Sequence, residues 1–443
     1  MKKTTTTLLL LLLLYCAQAQ TSFSLKDCIN YGLNNHLSVR VYQNNIAKTK
    51  AQVQENYSSY LPQISGSAQL PDNVKLQTTV LPAGVFGADQ TAVKFGTRYN
   101  PQASLEADQT IYDQNLLTGF KELKPGIEIA KLNAAQNDEN IIYNISYYYY
   151  QVMVSKKQLE LLHESASKYE KLIPITRLQI EKGVSKEVDL SRIQVSLNNT
   201  LSQISQAQNN YDLMLNRLKN AMGSKMEEQL VIQDSIADNS YAPIAAISDE
   251  PFSAENRADY KSQALNASIQ DIEIRRIRAG YAPKLSFYIQ YGAQSYGNDF
   301  AASFKSWYDF SALGLKLQVP IFDGLNKRAR TKEAKLTFDS SLKNLELSKQ
   351  SDALEYLNSK TQLQRNTDNV ENDKQNINLA REVLNNTTLQ YQQGVASLTE
   401  LLNAEISFKE AETNLVNSLL NFYLAKLDLE KSKGTLKNYY QTL

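Results

Sequence analysis

The chain has 443 residues, with 47 lysines and arginines against 46 aspartates and glutamates, a net charge of +1 and no dense basic tract. That balance argues against nucleic acid as a partner. Mean hydropathy is -0.42 and there are only 16 glycines, which suits long helices with polar faces; past the first 19 residues no apolar run reaches the roughly 18 residues of a membrane-spanning helix.

Lys2 and Lys3 precede an apolar run from Leu8 to Leu14, and Ala17-Gln18-Ala19 supplies the small residues of a cleavage site. Residues 1–19 therefore read as a secretory signal peptide, with Gln20 first in the mature chain. The alternative is lipid attachment at Cys16, which the bulky Tyr15 before it fits poorly. Removal of the signal leaves Cys28 alone, so no intrachain disulfide or cysteine metal site is expected.

A first helix of about 37 residues is expected from near Ser24 to Tyr60, ending at Leu61-Pro62 because proline cannot continue a helix. A weak strand from Gln63 to Leu70 and a long loop from Pro71 to Asn100 follow. Ala103, Leu105, Ala107 and Ile111 then alternate with Ser104, Glu106, Asp108 and Thr110, a second strand closing on Ile111-Tyr112-Asp113. In the long helix beyond, Ile145, Val152, Leu159, Ala166, Ile173 and Ile180 recur every seven residues; Pro125-Gly126 should delay its start and Pro174 should kink it. Gly183 turns the chain into a return helix ending near Gly223, and 224–253, with Pro243 and Pro251, reads as an irregular connector.

The same order then recurs, offset by 211 residues from Gly183 to Gly394. A helix from about Ala254 to Gly280 ends at Tyr281-Ala282-Pro283. Leu285, Phe287, Ile289 and Tyr291 alternate with Ser286, Tyr288, Gln290 and Gly292; past a turn at Ser295 to Trp307, Leu313, Leu315, Leu317 and Val319 form the partner strand. From Asn326 to Gln393 runs a helix of nearly 70 residues, about 100 Å long, with Tyr356, Leu363, Val370, Ile377, Leu384 and Tyr391 seven apart. The return segment Gly394 to Gly434 carries Leu401, Phe408, Leu415, Phe422 and Leu429 at the same spacing, as Gly183 to Gly223 carries Leu190, Leu197, Ile204, Tyr211 and Leu218. Sustained heptads of this kind impose helix pairing with a left-handed supercoil. The chain thus divides into a first repeat, 20–223, the connector, a second repeat, 254–434, and a short tail, 435–443.

Four strands cannot close a barrel in lipid, where about eight is the minimum and open edges are intolerable. The chain must therefore assemble, and three copies supplying twelve strands is the natural count.

The corners at Pro62 and Pro283, the junction Val319-Pro320-Ile321-Phe322-Asp323-Gly324 and the helix containing Leu401-Leu402-Asn403-Ala404-Glu405 resemble those of TolC-family outer-membrane efflux proteins, across essentially the whole mature chain. The resemblance implies a mainly α fold with a small β part: a homotrimer in which long coiled-coil helices form a periplasmic α-barrel and each protomer gives four strands to an outer-membrane β-barrel. It implies a passive exit duct for efflux or type I secretion, in the outer membrane and extending into the periplasm. Its partners would be a periplasmic adaptor (membrane fusion protein), an inner-membrane transporter and outer-membrane lipid. By the same resemblance Gly183, Val184, Gly394 and Val395 would form the periplasmic tip turns and dock the adaptor, and Asp189, Arg192, Glu400 and Asn403 would form a gate less acidic than the paired aspartates common in the family. Leu285, Phe287, Ile289, Leu313, Leu315 and Leu317 would face lipid, with Tyr281, Phe287, Tyr291, Trp307, Tyr308 and Phe322 as an interfacial girdle.

Tyr147 to Tyr150 should divide between helix packing and a tunnel wall. His36 and His163 read as isolated surface or packing residues. No phosphate loop, nucleophile elbow or paired carboxylates suggests an enzyme, and no cofactor or metal is expected. The alternatives are a periplasmic adaptor, which would need a compact β-rich domain, and a soluble coiled-coil scaffold, which leaves the apolar strand faces unexplained.

Overall fold

The computed structural model describes residues 22–84, 89–233 and 252–442. The expected signal peptide with Cys16, residues 234–251 of the expected connector with Pro243 and Pro251, and Leu443 lie outside these.

Strand β1 (Ser22–Phe23) leads into α1 (Leu25–Asn35). Ser24 caps it: the Ser24 hydroxyl accepts the Asp27 N–H, and the Asp27 carboxylate accepts the Ser24 N–H. The expected 37-residue helix is two helices, because His36 takes extended backbone (ψ 129°) between α1 and α2 (Leu37–Ser58). His36 Nδ1 accepts the Ser38 N–H at 3.2 Å, a local bond that competes with the helix ladder. Gly223 packs so closely there that a Cβ would come within 2.9 Å of His36 Cα.

Strand β2 (Gln63–Gln69) follows, and the expected long loop contains a hairpin, β3 (Thr78–Leu81) and β4 (Thr91–Lys94). Next come β5 (Gln102–Tyr112), α3 (Gln114–Gly119), capped by the Asp113 carboxylate, and a single turn at Phe120–Glu122. Helix α4 (Leu123–Glu181) then starts before Pro125 rather than after it; in the first turn the missing N–H of proline breaks no helical bond. Pro174 lies inside the continuous α4.

Helix α5 (Glu187–Met222) ends on left-handed Gly223, and β6 (Val231–Ile232) pairs in parallel with β1, so the described part of the expected connector includes a short strand. A turn at Ala254–Asn256 precedes α6 (Ala258–Ala279). Strands β7 (Lys284–Ser295) and β8 (Trp307–Gln318), and helices α7 (Asn326–Gln392), α8 (Leu398–Lys433) and α9 (Leu436–Thr442) complete the chain. The expected tail is thus helical, with Leu436 and Tyr439 buried.

These elements form two compact units. One comprises residues up to Asn45, Lys131–Gln263 and Asn344–Leu443 and is almost wholly helical. Its axis is α8, with Leu401, Phe408, Leu415, Phe422 and Leu429 all buried against the α7 seam of Tyr356, Leu363, Val370, Ile377, Leu384 and Tyr391. Asn366 donates to the Asn421 carbonyl and Ser418 bonds Asp373 across this pair. On its other side α8 meets α4, where Tyr150 stacks on Tyr423 at 4.8 Å and Tyr143 donates to Asp428. Tyr149 and Tyr150 are buried and Tyr147 and Tyr148 partly so, which gives all four a packing role. The α5 heptad is less enclosed: Leu218 is buried, whereas Leu190, Leu197, Ile204 and Tyr211 are half-buried.

The other unit comprises Ile46–Ala130 and Ala264–Lys343. It holds the β3–β4 hairpin and a four-stranded antiparallel sheet in the order β2-β5-β7-β8. Side chains alternate across a pleat, so register fixes the faces. Leu285, Phe287 and Ile289 lie opposite Leu317, Leu315 and Leu313, with Leu105 opposite Tyr291 and Ile64 opposite Ala107 on the same face. The other face carries Gln63, Ser65 and Ser67, Ser104, Glu106 and Asp108, and Ser286 and Gln290.

The two seams should differ in strength. Leu415→Ala, at a side chain 2% exposed, should lower unfolding free energy by about 2–5 kcal/mol. Ile204→Ala, at a half-buried site, should cost clearly less, as the midpoints of denaturant melts of detergent-purified protein would report.

Candidate functional site

The expected tip residues lie in the helical unit. After α4 and α7 the chain turns on Gly183 (φ 72°) and Gly394 (φ 74°), a left-handed backbone that suits glycine. Each turn returns two amides to one carbonyl: Val184 and Ser185 to Gln179 O at 2.8 and 3.3 Å, and Val395 and Ala396 to Gln390 O at 2.9 and 3.2 Å. Orphan carbonyls at both helix ends are thereby satisfied, with the hydrophobic residue after each glycine left outward. Val184 is 61% and Val395 76% exposed.

The two turns are neighbours. A Cβ on Gly394 would lie 3.5 Å from Val184 Cγ1, Thr176 and Tyr391 share a hydroxyl hydrogen bond at 2.8 Å, and Gln179 donates to the Tyr391 carbonyl at 3.2 Å. Arg192 Nη1 donates to Thr399 Oγ1 at 3.2 Å, joining the start of α5 to the start of α8.

Of the four expected gate residues, two are helix caps. Asp189 Oδ2 accepts the Lys186 N–H and the Ser185 hydroxyl, each at 3.1 Å. Glu400 Oε2 accepts the Ser397 N–H at 2.7 Å and hydroxyl at 3.0 Å, while Ser397 Oγ accepts the Glu400 N–H at 3.3 Å. The Ser397 amide, and then its hydroxyl, hold the Glu400 carboxyl below its ordinary pKa. Arg192 lies 3.9 Å from Asp189 and Asn403 is exposed on α8. The signal for the cap is readable in the sequence as Ser397-Leu398-Thr399-Glu400, a serine followed by glutamate three residues on.

In the sheet unit, the six residues expected to face lipid share one face. Leu313, Leu315 and Leu317 are 72%, 66% and 64% exposed and Ile289 43%, while Leu285 and Phe287 are half-buried. Ile64 and Leu105, 77% and 59% exposed, belong to the same surface. Of the expected girdle, Tyr291 and Trp307 share that face, but Tyr308 lies opposite Gln294 on the polar one. Tyr281 and Phe322 are exposed outside the strands.

His36 sits at the α1–α2 break and His163 is exposed. Among the described residues no group of three or more His, Cys, Asp or Glu could hold a metal ion, and no helix is long and apolar enough to cross a membrane.

The tip caps make stability predictions. Ser397→Ala should cost about 1 kcal/mol and Gly394→Ala about 1–2 kcal/mol, because alanine is strained in left-handed backbone. A carboxyl whose folded pKa is depressed contributes stability above its ordinary value and loses it as pH falls through the folded one. Amide exchange at 397–401 should therefore accelerate, after intrinsic correction, as pH drops below about 4, and Glu400→Gln should remove that acid step.

The chain matches the sequence profile of the family described as outer membrane efflux protein over residues 29–224 and 253–435. It is 20% identical over 426 residues to the outer membrane protein TolC of Vibrio cholerae, covering 90% of this chain and 93% of that one. It is 19% identical over 339 residues to the alkaline protease secretion protein AprF of Pseudomonas aeruginosa, covering 75% and 69%. Its fold is that of CusC, with a TM-score of 0.76 at 17% identity over 93% of this chain and 92% of that one. The open-state MtrE channel of Neisseria gonorrhoeae gives 0.74 at 17% identity over 93% and 89%. The chain belongs to the outer membrane efflux protein family, a family of outer-membrane channel proteins.

Proposed function

We propose that the chain is the outer-membrane duct of a tripartite efflux or type I secretion system, active as a homotrimer. The observation that carries this reading is the sheet: four antiparallel strands with one predominantly apolar face, and with β2 and β8 each paired on one side only. In lipid both outer edges must find partners. Pairing β8 of one copy with β2 of the next closes three copies into a twelve-stranded barrel, with Ile64, Leu105, Ile289, Leu313, Leu315 and Leu317 toward lipid and the Gln, Ser, Glu and Asp face toward the lumen. Relatives named for protease secretion and for toluene efflux fit an exit duct whose cargo is chosen by its partners.

The exposed Val184 and Val395 beside the turns of Gly183 and Gly394 are the surface offered to a periplasmic adaptor, which in turn would join an inner-membrane transporter. At the gate, Asp189 and Glu400 fix the shape of the tips through their caps. Arg192 and Asn403 are left to line the constriction. The sheet disfavours a soluble scaffold, which would leave this apolar face in water. It disfavours an adaptor equally, since the four strands form an open sheet rather than a compact β domain.

Leu315→Asp places a charge on the proposed lipid face and should abolish recovery from the outer-membrane fraction, whereas Lys316→Asp, on the opposite face, should not. In planar bilayers the purified protein should conduct, and Arg192→Ala with Asn403→Ala should raise conductance. Protein that stays soluble without detergent and never conducts would overturn the duct.

A further inference from the structure

Within the helical unit, Arg257 precedes the first residue of α6 and reaches three helices. Its guanidinium forks onto Asp259, with Nε–Oδ1 at 3.1 Å and Nη2–Oδ2 at 2.9 Å. It meets Glu355 Oε2 at 3.0 Å and Asp352 Oδ1 at 3.5 Å, both on α7. It also donates to the Ser432 carbonyl at 3.2 Å, in the last turn of α8. The backbone of Arg257 lies against Gly434, the left-handed cap of α8, so closely that a Cβ there would come within 3.1 Å of Arg257 Cα.

One positive charge therefore faces three carboxylates and a helix C-terminus, whose dipole is also negative. The charges of Asp259, Arg257, Asp138 and Lys261 all act on Glu139 of α4. Asp259, Glu355 and Ser432 take the close, directed donors. Asp352 keeps the longest contact, is 6% exposed, and its Oδ2 is buried without a hydrogen-bond partner among the described residues. A buried carboxylate oxygen with no donor is costly, and a proton on it removes the charge.

We propose that Asp352 is a proton-binding position, and that the Arg257 junction is a clasp of α6, α7 and α8 that tightens when Asp352 is protonated and loosens when it ionises. Burial pushes the Asp352 carboxyl up, with the Arg257 attraction opposing and the Asp259 and Glu355 repulsion adding. Burial pushes Glu139 up as well. Burial also works against ionised Asp259, but the Arg257 fork outweighs it and holds that carboxyl down. A raised carboxyl stabilises below its folded pKa and loses this as pH rises through it, whereas a depressed one fails only in acid. The clasp is accordingly firmest in the window between the two.

The test is hydrogen exchange at residues 252–261 and 430–436 of the full-length protein in detergent, compared at the two ends of a pH series that runs from the ordinary aspartate range up to mildly alkaline, corrected for intrinsic rates. Wild type should exchange there several-fold faster at the higher pH, and Asp352→Asn should be slow at both. Arg257→Gln should be fast at both, which checks that the readout reports the clasp. Faster exchange of Asp352→Asn than wild type at the higher pH would show ionised Asp352 serving Arg257 and overturn the proposal. So would a wild type insensitive to pH, or an Arg257→Gln variant that exchanges like wild type.

Discussion

A backbone amide in hydrocarbon must have a partner within the protein, and this requirement would govern the sheet unit in the barrel proposed for it. The order β2-β5-β7-β8 satisfies the three inner ladders and leaves one edge of β2 and one of β8 unpaired. Were the sheet in water, such edges would be tolerable, but its apolar face would not: Ile64, Leu313, Leu315 and Leu317 are each more than 60% exposed. Only an apolar medium suits that face, and only additional strands suit those edges in such a medium. The trimeric barrel proposed for this chain follows from combining the two.

The helical unit obeys a different constraint. Helix α8 is enclosed by α7 and α4, and its heptad leucines and phenylalanines are buried. Helix α5 has one open flank, with Val188, Val195, Leu201 and Leu213 exposed, and α7 exposes Leu379, Val383 and Leu389. Apolar rows of this length are unusual on a helix surface that remains in water. They are the rows that neighbouring copies would cover in the proposed trimer. The polar bonds that tie the helices, such as Lys168 to Glu405 at 3.2 Å and Asn366 to the Asn421 carbonyl at 2.9 Å, fix register rather than supply the bulk of the stability.

Much of this was legible in the sequence because it repeats at fixed periods. The seven-residue spacing from Tyr356 to Tyr391 and from Leu401 to Leu429 marked buried seams, and the two-residue alternation at Leu285 to Tyr291 marked one face of a sheet. Features without a period were missed. The break at His36 depends on a single side chain accepting the Ser38 N–H two residues on and on close packing against Gly223. The hairpin β3–β4 is only four residues a side, with Thr78-Thr79-Val80-Leu81 offering little alternation. The capping bonds of Asp189 and Glu400, placed at the gate by their position from the tip glycines, are a further role of those carboxylates, and the serine at 397 carries the signal for it. Arg257 gave no sign at all, because Asp352, Glu355 and Ser432 are distant in sequence and meet it only through packing.

The central claim is that this chain is complete as a channel only in three copies. The most direct test is the mass of the detergent-extracted complex by native mass spectrometry. The account predicts a single species of three mature chains that survives mild detergent and separates on heating. A monomer, or a dimer with no larger species, would contradict it, since one copy supplies too few strands to close a barrel and two supply eight rather than the proposed twelve.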